Sequence, residues 1–438
     1  MIAAGRTQQR KRTRRWAGSP LRERSGVAKP ICRFCGENLK HVFADLKVSP
    51  ISNNYLDADD LRYPESFYPL QVFVCEGCFL VQTPTVVHRE SIFNDHYAYF
   101  SSYSESWLSH ASRYVEAMIE RFGYGEKSQV IEIASNDGYL LQYFQRKGVP
   151  VLGIEPSANV AAAAAVKGIP TLIKFFGVET AQLLVAQGKT ADLVVGNNVL
   201  GHVSDMNDFV GGLKILLKPQ GVITLEFPHL LRFIEANQFD TIYHEHLNYL
   251  TFIATQRIFA HHGLKLFDVE ELHTHGGSLR IFAAHANDHT KPVTEQVAEL
   301  ATREKEAAFD TIDRYFDFQR QIDQTKCKLL MFLIQAKDNG QHIAAYGAPA
   351  KGNTLLNYCG VSTDFLDYTV DRSPYKQGHF LPGTRIPIYS PDKVCETRPD
   401  YLLILPWNLK EEIMDQMKVI RTWGGKFVTP IPTVTVYD

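Results

Sequence analysis

The run Val130-Ile-Glu-Ile-Ala-Ser-Asn-Asp-Gly138 constrains the fold of this chain more than any other stretch. It predicts a buried strand, a loop of small residues, a helix over 139–147, and a second short strand, Val151-Leu-Gly-Ile-Glu155. Strand, tight turn, helix, strand and acid in that order build a nucleotide crevice at the carboxyl ends of a doubly wound α/β sheet. Ala134, Ser135 and Gly138 would let a ligand approach the backbone, and Glu155 could accept two hydrogen bonds from a ribose diol. The loop lacks a full G-x-G-x-x-G and is led by Glu132. That departure argues against a dinucleotide and toward S-adenosylmethionine, whose sulfonium and amino group are cationic. An ordinary βα turn without a ligand is the competing reading.

With 438 residues there is room for two or three domains, and 45% hydrophobic residues can build sizeable cores. The formal net charge of −2 gives no global bias toward polyanions, but its distribution is uneven. Residues 1–29 carry nine Lys/Arg against one acid; the rest carries 37 against 47. The tail, with Arg10-Lys-Arg-Thr-Arg-Arg15, could touch nucleic acid or an acidic surface, or act as a transit-like segment. A disordered extension is the plainer expectation. No apolar run reaches the ~18 residues that span a bilayer and no signal peptide is recognisable, so a soluble, cytoplasmic protein with no membrane partner is expected.

Four of the seven cysteines form two knuckles, Cys32-x-x-Cys35 and Cys75-x-x-Cys78. Paired C-x-x-C spacings place four thiolates for tetrahedral Zn²⁺, and in a reducing compartment metal is a better reading than disulfides. The spacer leaves room for a small β-rich lobe, with a loop at Pro50-Ile-Ser-Asn-Asn54 and a strand over 68–74. Such a lobe is marginal by its own core. Zinc could supply ~10–16 kcal/mol of apparent binding energy to hold it. Four thiolates leave no open coordination position, so the zinc is read as structural, with redox knuckles as the alternative.

Further along, helices are expected over 105–122, 158–166 and 205–217, and strands over 191–195 and 221–226. The alternation requires a parallel sheet with helices on both faces. Residues 276–284 read as a late edge strand of that sheet, and 294–337 as a long helical region without Pro or Gly that connects domains. Beyond it, a strand over 342–346 enters the turn Gly347-Ala-Pro-Ala-Lys-Gly352, a phosphate seat or simply a tight turn. The expected organisation is a basic tail (1–29), a zinc-binding β lobe (30–90), an S-adenosylmethionine-binding Rossmann-like domain (91–290), a helical connector (291–339) and a smaller Rossmann-like αβ domain (340–438).

Just past the strand 221–226 sits Tyr243-His-Glu-His246. Burying such a run costs free energy unless the groups pair. H-E-x-x-H is absent, which argues against a protease-type metal site. An imidazole titrates near neutrality and suits proton abstraction, a carboxylate beside it can fix the tautomer, and a tyrosyl O–H can donate to a developing enolate. His202, after Asn197-Asn198, approaches the same crevice by topology. A structural polar network is the alternative.

Together these segments resemble the sugar C-methyltransferases of deoxysugar biosynthesis, which act on TDP-linked keto sugars. The likeness runs from about Ile31 to the C-terminus. It rests on the two knuckles with the 50–56 stretch, Phe100-Ser-Ser-Tyr103, Glu132-Ile-Ala-Ser-Asn-Asp-Gly138 and Gly196-Asn-Asn-Val-Leu-Gly-His202. Tyr243-His-Glu-His246, His275-Gly-Gly-Ser-Leu-Arg280 and Gly347-Ala-Pro-Ala-Lys-Gly-Asn353 complete it. The resemblance implies a zinc lobe, a class I S-adenosylmethionine methyltransferase domain and a C-terminal Rossmann-like domain, with a dTDP-keto-deoxysugar bound between the last two. It places the general base on His246, its support on Tyr243 and Glu245, and Tyr97, Asn198 and His202 along the pocket. Candidate cofactor contacts are Glu132, Ala134, Asn136, Gly138, Glu155 and Asn197; candidate substrate contacts are His275, Lys351, Gly352 and Asn353. Rival readings are a zinc-containing nucleic-acid methyltransferase and a non-catalytic sugar-nucleotide-binding protein. Asn197-Asn-Val-Leu is not an N-P-P-Y-type site and the chain beyond the tail is acidic, so no nucleic-acid partner is expected.

Overall fold

The computed structural model describes residues 30–88, 90, 93, 97 and 99–438; the basic tail and the expectations for it lie outside these residues. Three sheets organise the chain. The first is antiparallel and joins β1 (His41–Ser49), β2 (Tyr68–Val74) and β3 (Val81–Gln82) to β9 (Asn248–Tyr249), which arrives from far along the chain. Alternation along β2 turns Leu70, Val72 and Val74 to the buried face.

The second sheet has seven strands in the order β10-β11-β8-β7-β4-β5-β6. Its parallel part comprises β4 (Val130–Ile133), β5 (Val151–Ile154), β6 (Thr171–Leu172), β7 (Ala191–Asn197) and β8 (Leu217–Pro228). The chain steps outward from β4 to β6, then returns to the other side of β4 as β7. The reversal opens a crevice at the carboxyl ends of β4 and β7. The helix Glu105–Phe122 packs beside this sheet; Ser104 caps its N-terminus through the Trp107 N–H, and Gly123 ends it at φ 70°.

One expectation needs correction. The strand read from 276–284 is β11 (Ser278–His285), and it is not an edge. It lies between β8 and β10 (Leu264–Leu272), antiparallel to both. Seven consecutive buried residues, Ser278 to Ala284, reflect cover on both faces; the edge belongs to β10. The 294–337 region is helical, in two pieces. It breaks into Glu295–Glu306 and Phe318–Asp338 around a left-handed Ala308 at φ 63°. The break turns Phe309 and Tyr315 into the core, where the Tyr315 hydroxyl donates to the Phe309 carbonyl at 2.9 Å.

The third sheet runs β14-β13-β12-β15-β16-β17. It is built from β12 (Ile343–Tyr346), β13 (Thr369–Val370), β14 (Ile388–Tyr389), β15 (Tyr401–Ile404), β16 (Lys426–Thr429) and β17 (Thr435–Tyr437). All but β17 are parallel, and the strand order again reverses around β12. The first sheet is not an independent unit. Phe43, Leu70 and Val72 share one core with the connector helix and the third sheet. Cys32, Cys75, Cys78 and Leu80 share another with the second sheet. The N-terminal lobe is thus a wedge supported from two sides as well as by its knuckles. Among the described residues no helix is long and apolar enough to cross a membrane.

Candidate active site

The four knuckle thiols converge, with all Sγ atoms within 4.8 Å of one another. Cys32 and Cys78 Sγ are 3.5 Å apart, Cys35 and Cys75 Sγ 3.4 Å. A tetrahedron with Zn–S bonds of about 2.3 Å has edges of about 3.8 Å, so this donor set fits zinc. Each knuckle closes through a left-handed residue, Gly36 at φ 79° and Phe79 at φ 60°. The Phe79 N–H donates to the Cys75 carbonyl at 2.9 Å, and Arg257 lies over its ring at 5.1 Å.

At the carboxyl edge of the second sheet lies a cavity of about 410 Å³ whose walls come from all three sheets. The βα turn after β4 supplies Ala134 and Asn136, both with positive φ. Glu155, at the tip of β5, faces the same space and is 4% exposed. Its carboxylate accepts from the Asn136 N–H at 3.1 Å and the Ser157 N–H at 2.9 Å, which fixes its direction. Burial nevertheless pushes its pKa up. Asn136 is committed elsewhere: its amide oxygen accepts from Ser101 N–H at 2.8 Å and its amide nitrogen donates to the Tyr99 carbonyl at 3.1 Å. It therefore holds the 99–101 segment as part of the wall. Asn197 completes this side of the cavity.

Opposite, His202, Tyr243, Glu245, His246, Asn198, Tyr97 and His275 line the same cavity. His246 Nδ1 lies 2.7 Å from the Thr241 carbonyl, which can only accept, so Nδ1 carries the proton. Burial drives the imidazole pKa well down, keeping the ring neutral, and Nε2 accepts the Tyr243 hydroxyl at 2.6 Å. His202 is fixed in the same tautomer, donating from Nδ1 to the Glu245 carbonyl at 2.8 Å. Its ring centroid is 4.9 Å from that of His246, and burial takes its pKa down to about 4. The Glu245 carboxyl is pushed up to about 7 by burial, offset by the Asn53 amide donating to it at 2.7 Å. Asn198 donates to His275 Nε2 at 3.0 Å, and burial takes His275 down to about 4.

The third sheet contributes Lys351, at the start of the helix Ala350–Cys359. Its ammonium donates to Asn408 Oδ1 at 2.8 Å and lies 4.8 Å from the Trp407 ring centroid. Burial lowers its pKa, and Asp240 opposes that shift.

Four expected residues do not reach the cavity wall. Glu132 is fully buried beneath the turn, and burial pushes its carboxyl pKa well above the ordinary value. Gly138, at φ 75°, is packed so closely that a Cβ would come within 2.9 Å of Ile169. Gly352 lets its helix approach Leu405, and Asn353 donates to the Ser52 carbonyl at 2.6 Å. Gly352 and Asn353 seat the helix and a loop of the first sheet; they do not face the cavity. Conversely, Asn53, Trp107 and Lys376 line it without having been anticipated. Asn53 sat in a stretch already marked as a loop. Lys376 follows Tyr375 in a plain loop, and nothing in its spacing signals a site.

Comparison with known proteins gives a consistent picture. The models of a zinc binding domain, a methyltransferase domain and a C-methyltransferase C-terminal domain match residues 32–93, 107–269 and 273–432. The chain is 34% identical over 409 residues to C-methyltransferase NovU of Streptomyces niveus, covering 93% of this chain and 97% of that one. A ubiquinone biosynthesis O-methyltransferase of Rhodopseudomonas palustris strain BisA53 is 30% identical over 97 residues, 22% of this chain and 38% of its own. Among solved structures, magnesium protoporphyrin IX methyltransferase of Synechocystis PCC 6803 with bound SAM aligns at 15% identity and a TM-score of 0.31. That alignment covers 41% of this chain and 78% of the other. The strand order with its single reversed strand is that of the class I S-adenosylmethionine-dependent fold.

Proposed function

This chain belongs to the zinc-containing C-methyltransferase family, and we propose that it methylates carbon beside the ketone of a nucleotide-linked keto-deoxysugar. The substrate class is read as dTDP-linked and the acceptor as C3 of a 4-keto sugar. One observation carries the reading. A neutral, tautomer-fixed histidine with a tyrosyl O–H on its Nε2 shares one cavity with the Glu155 turn of a methyltransferase fold.

When bound, S-adenosylmethionine supplies an electrophilic methyl group. Glu155 would hold its ribose, and Ala134, Asn136 and Asn197 would flank it. Lys351 and Lys376 give the opposite wall two cations suited to the diphosphate of the sugar nucleotide. The ketone acidifies the neighbouring C–H. His246 Nε2 takes that proton, while Nδ1 stays anchored on the Thr241 carbonyl, so the imidazolium forms without reorienting. Tyr243 must first swing its O–H from Nε2 to the ketone oxygen, which frees the Nε2 lone pair and places the donor where the enolate charge develops. A well-aimed donor there contributes about 3 kcal/mol, and the general base about 10²–10⁴ in rate. Glu245 lies at the same edge of the cavity, where its negative form would stabilise the imidazolium.

The test uses deuterated water. Without methyl donor, the protein should wash deuterium into the sugar carbon next to the ketone. His246→Asn should lose both wash-in and methyl transfer by about 10²–10⁴ while binding S-adenosylmethionine as before. Full-rate transfer by His246→Asn would remove the assigned base.

A further inference from the structure

We propose that Arg33, inside the first C-x-x-C knuckle, is a positioning residue that couples the zinc lobe to the loop carrying His202. Every partner of its side chain is an oxygen of another segment. Nη1 donates to the Val203 carbonyl at 3.2 Å and the Ser204 carbonyl at 3.4 Å, and Nη2 donates to the Thr83 carbonyl. Val203 and Ser204 directly follow His202 and line the cavity.

Gln82 ties this arginine to the metal site. Its amide nitrogen donates to Cys32 Sγ at 3.1 Å, and its amide oxygen accepts from the Arg33 backbone N–H at 2.9 Å. Outer-layer donors of this kind orient the ligands of a metal site, and here the same amide also holds the arginine backbone. From the other side Asn248, in the strand paired with Gln82, donates to the same Val203 carbonyl at 2.8 Å and to Leu200 at 3.1 Å. Thr83 N–H donates to the Leu247 carbonyl, and Leu247 N–H to Gly201. His202 is therefore bracketed at residues 200, 201, 203 and 204, and its own Nδ1–H reaches the Glu245 carbonyl. Hydrogen bonds lead from Cys32 through Gln82 and Arg33 to the carbonyls of Val203 and Ser204, the two residues that follow His202 in the chain.

A lobe that merely stabilised the fold would need none of these contacts, because its apolar residues already pack into both neighbouring cores. The consequence for rate rests on the roles proposed above for His202 and His246; the positioning itself does not. A shift of reacting groups of about 1 Å costs on the order of 10²-fold, and outer-layer changes at metal sites cost about 10–100-fold.

The experiment uses zinc-loaded full-length protein and two variants, Arg33→Lys and Asn248→Ser. Zinc content, solvent exchange of the His202 Nδ1 proton by nitrogen NMR of histidine-labelled protein without substrate, and methyl transfer are measured. Both variants should hold zinc as the parent does and exchange the His202 proton at least about tenfold faster. Turnover should fall about 10–100-fold at unchanged S-adenosylmethionine affinity. Zinc retained with unchanged His202 exchange overturns the proposal, as does zinc loss in Arg33→Lys with unchanged exchange in Asn248→Ser. If Arg33→Lys does not fold, Asn248→Ser decides alone. Faster exchange with undiminished turnover upholds the coupling and instead removes His202 from the reaction.

Discussion

The second and third sheets carry the same device. In each, a small-residue turn follows the strand at the reversal point, and an acid at the tip of the neighbouring strand accepts an N–H of that turn. Glu155 takes the Asn136 N–H at 3.1 Å; Asp371 takes the Ala348 N–H at 2.8 Å. Yet the first turn opens on the large shared cavity, whereas the crevice beside Asp371 holds only about 220 Å³. There Arg372 pairs with Glu412 at 3.8 Å, the Tyr346 hydroxyl donates to Gln416, and Pro406 sits within 2.5 Å of where a Cβ on Gly347 would be. The third sheet narrows its own crevice with its own side chains, and presents its helix start and Lys351 to the common cavity. The same local topology thus opens on a large cavity in one place and a smaller one in the other.

Acidification separates the two most strongly. The first crevice is lined by His202, His246 and His275, and the second by no histidine. His202 and His275 sit at about 4 in the folded protein, against about 6.5 when unfolded. Their burial is therefore harmless above about pH 6.5. Below it the unfolded chain takes up protons first, so stability falls toward pH 4 by roughly 3 kcal/mol for each of these two residues. Denaturant midpoints across this range should show the slope, and His202→Gln with His275→Gln should flatten it. An unchanged slope would mean the cavity does not govern acid stability.

Next in size is the acid swap. Glu155→Ala should weaken S-adenosylmethionine binding by about 10–100-fold in calorimetry, the value of one or two hydrogen bonds to a charged group. Asp371→Ala should leave that affinity alone; an equal loss would make the second crevice functional. Lys351→Met should raise KM for the nucleotide sugar by about tenfold with little change in kcat. The smallest effect is on stability: freeing the Ala348 and Ser373 N–H groups in Asp371→Ala should cost about 1–2 kcal/mol by thermal unfolding.

Much of the fold was legible because its elements are locally coded. Periodicity and caps mark Tyr68–Val74 and Glu105–Phe122, whose bounds match those read from the sequence. The β11 error shows the limit: a buried strand looks alike at an edge or inside, since only its neighbours differ. The break at Ala308 has no Pro or Gly to announce it; burial of Phe309 and Tyr315 drives it. At the site, the Tyr-His-Glu-His run was visible as an unusual polar cluster. That Asn53 would touch Glu245 across 192 positions was not.

Residue types and spacings on their own determined the two thiol knuckles, the small-residue βα turn and the Tyr243-His-Glu-His246 run, because each is a pattern of neighbours a few positions apart. Tertiary structure decided which of two similar turns opens on the large cavity, which tautomer His202 and His246 hold, and that Glu132, Gly138, Gly352 and Asn353 lie off the cavity wall. Those outcomes depend on separate segments, from five to some three hundred positions apart, competing for the same space and the same hydrogen bonds.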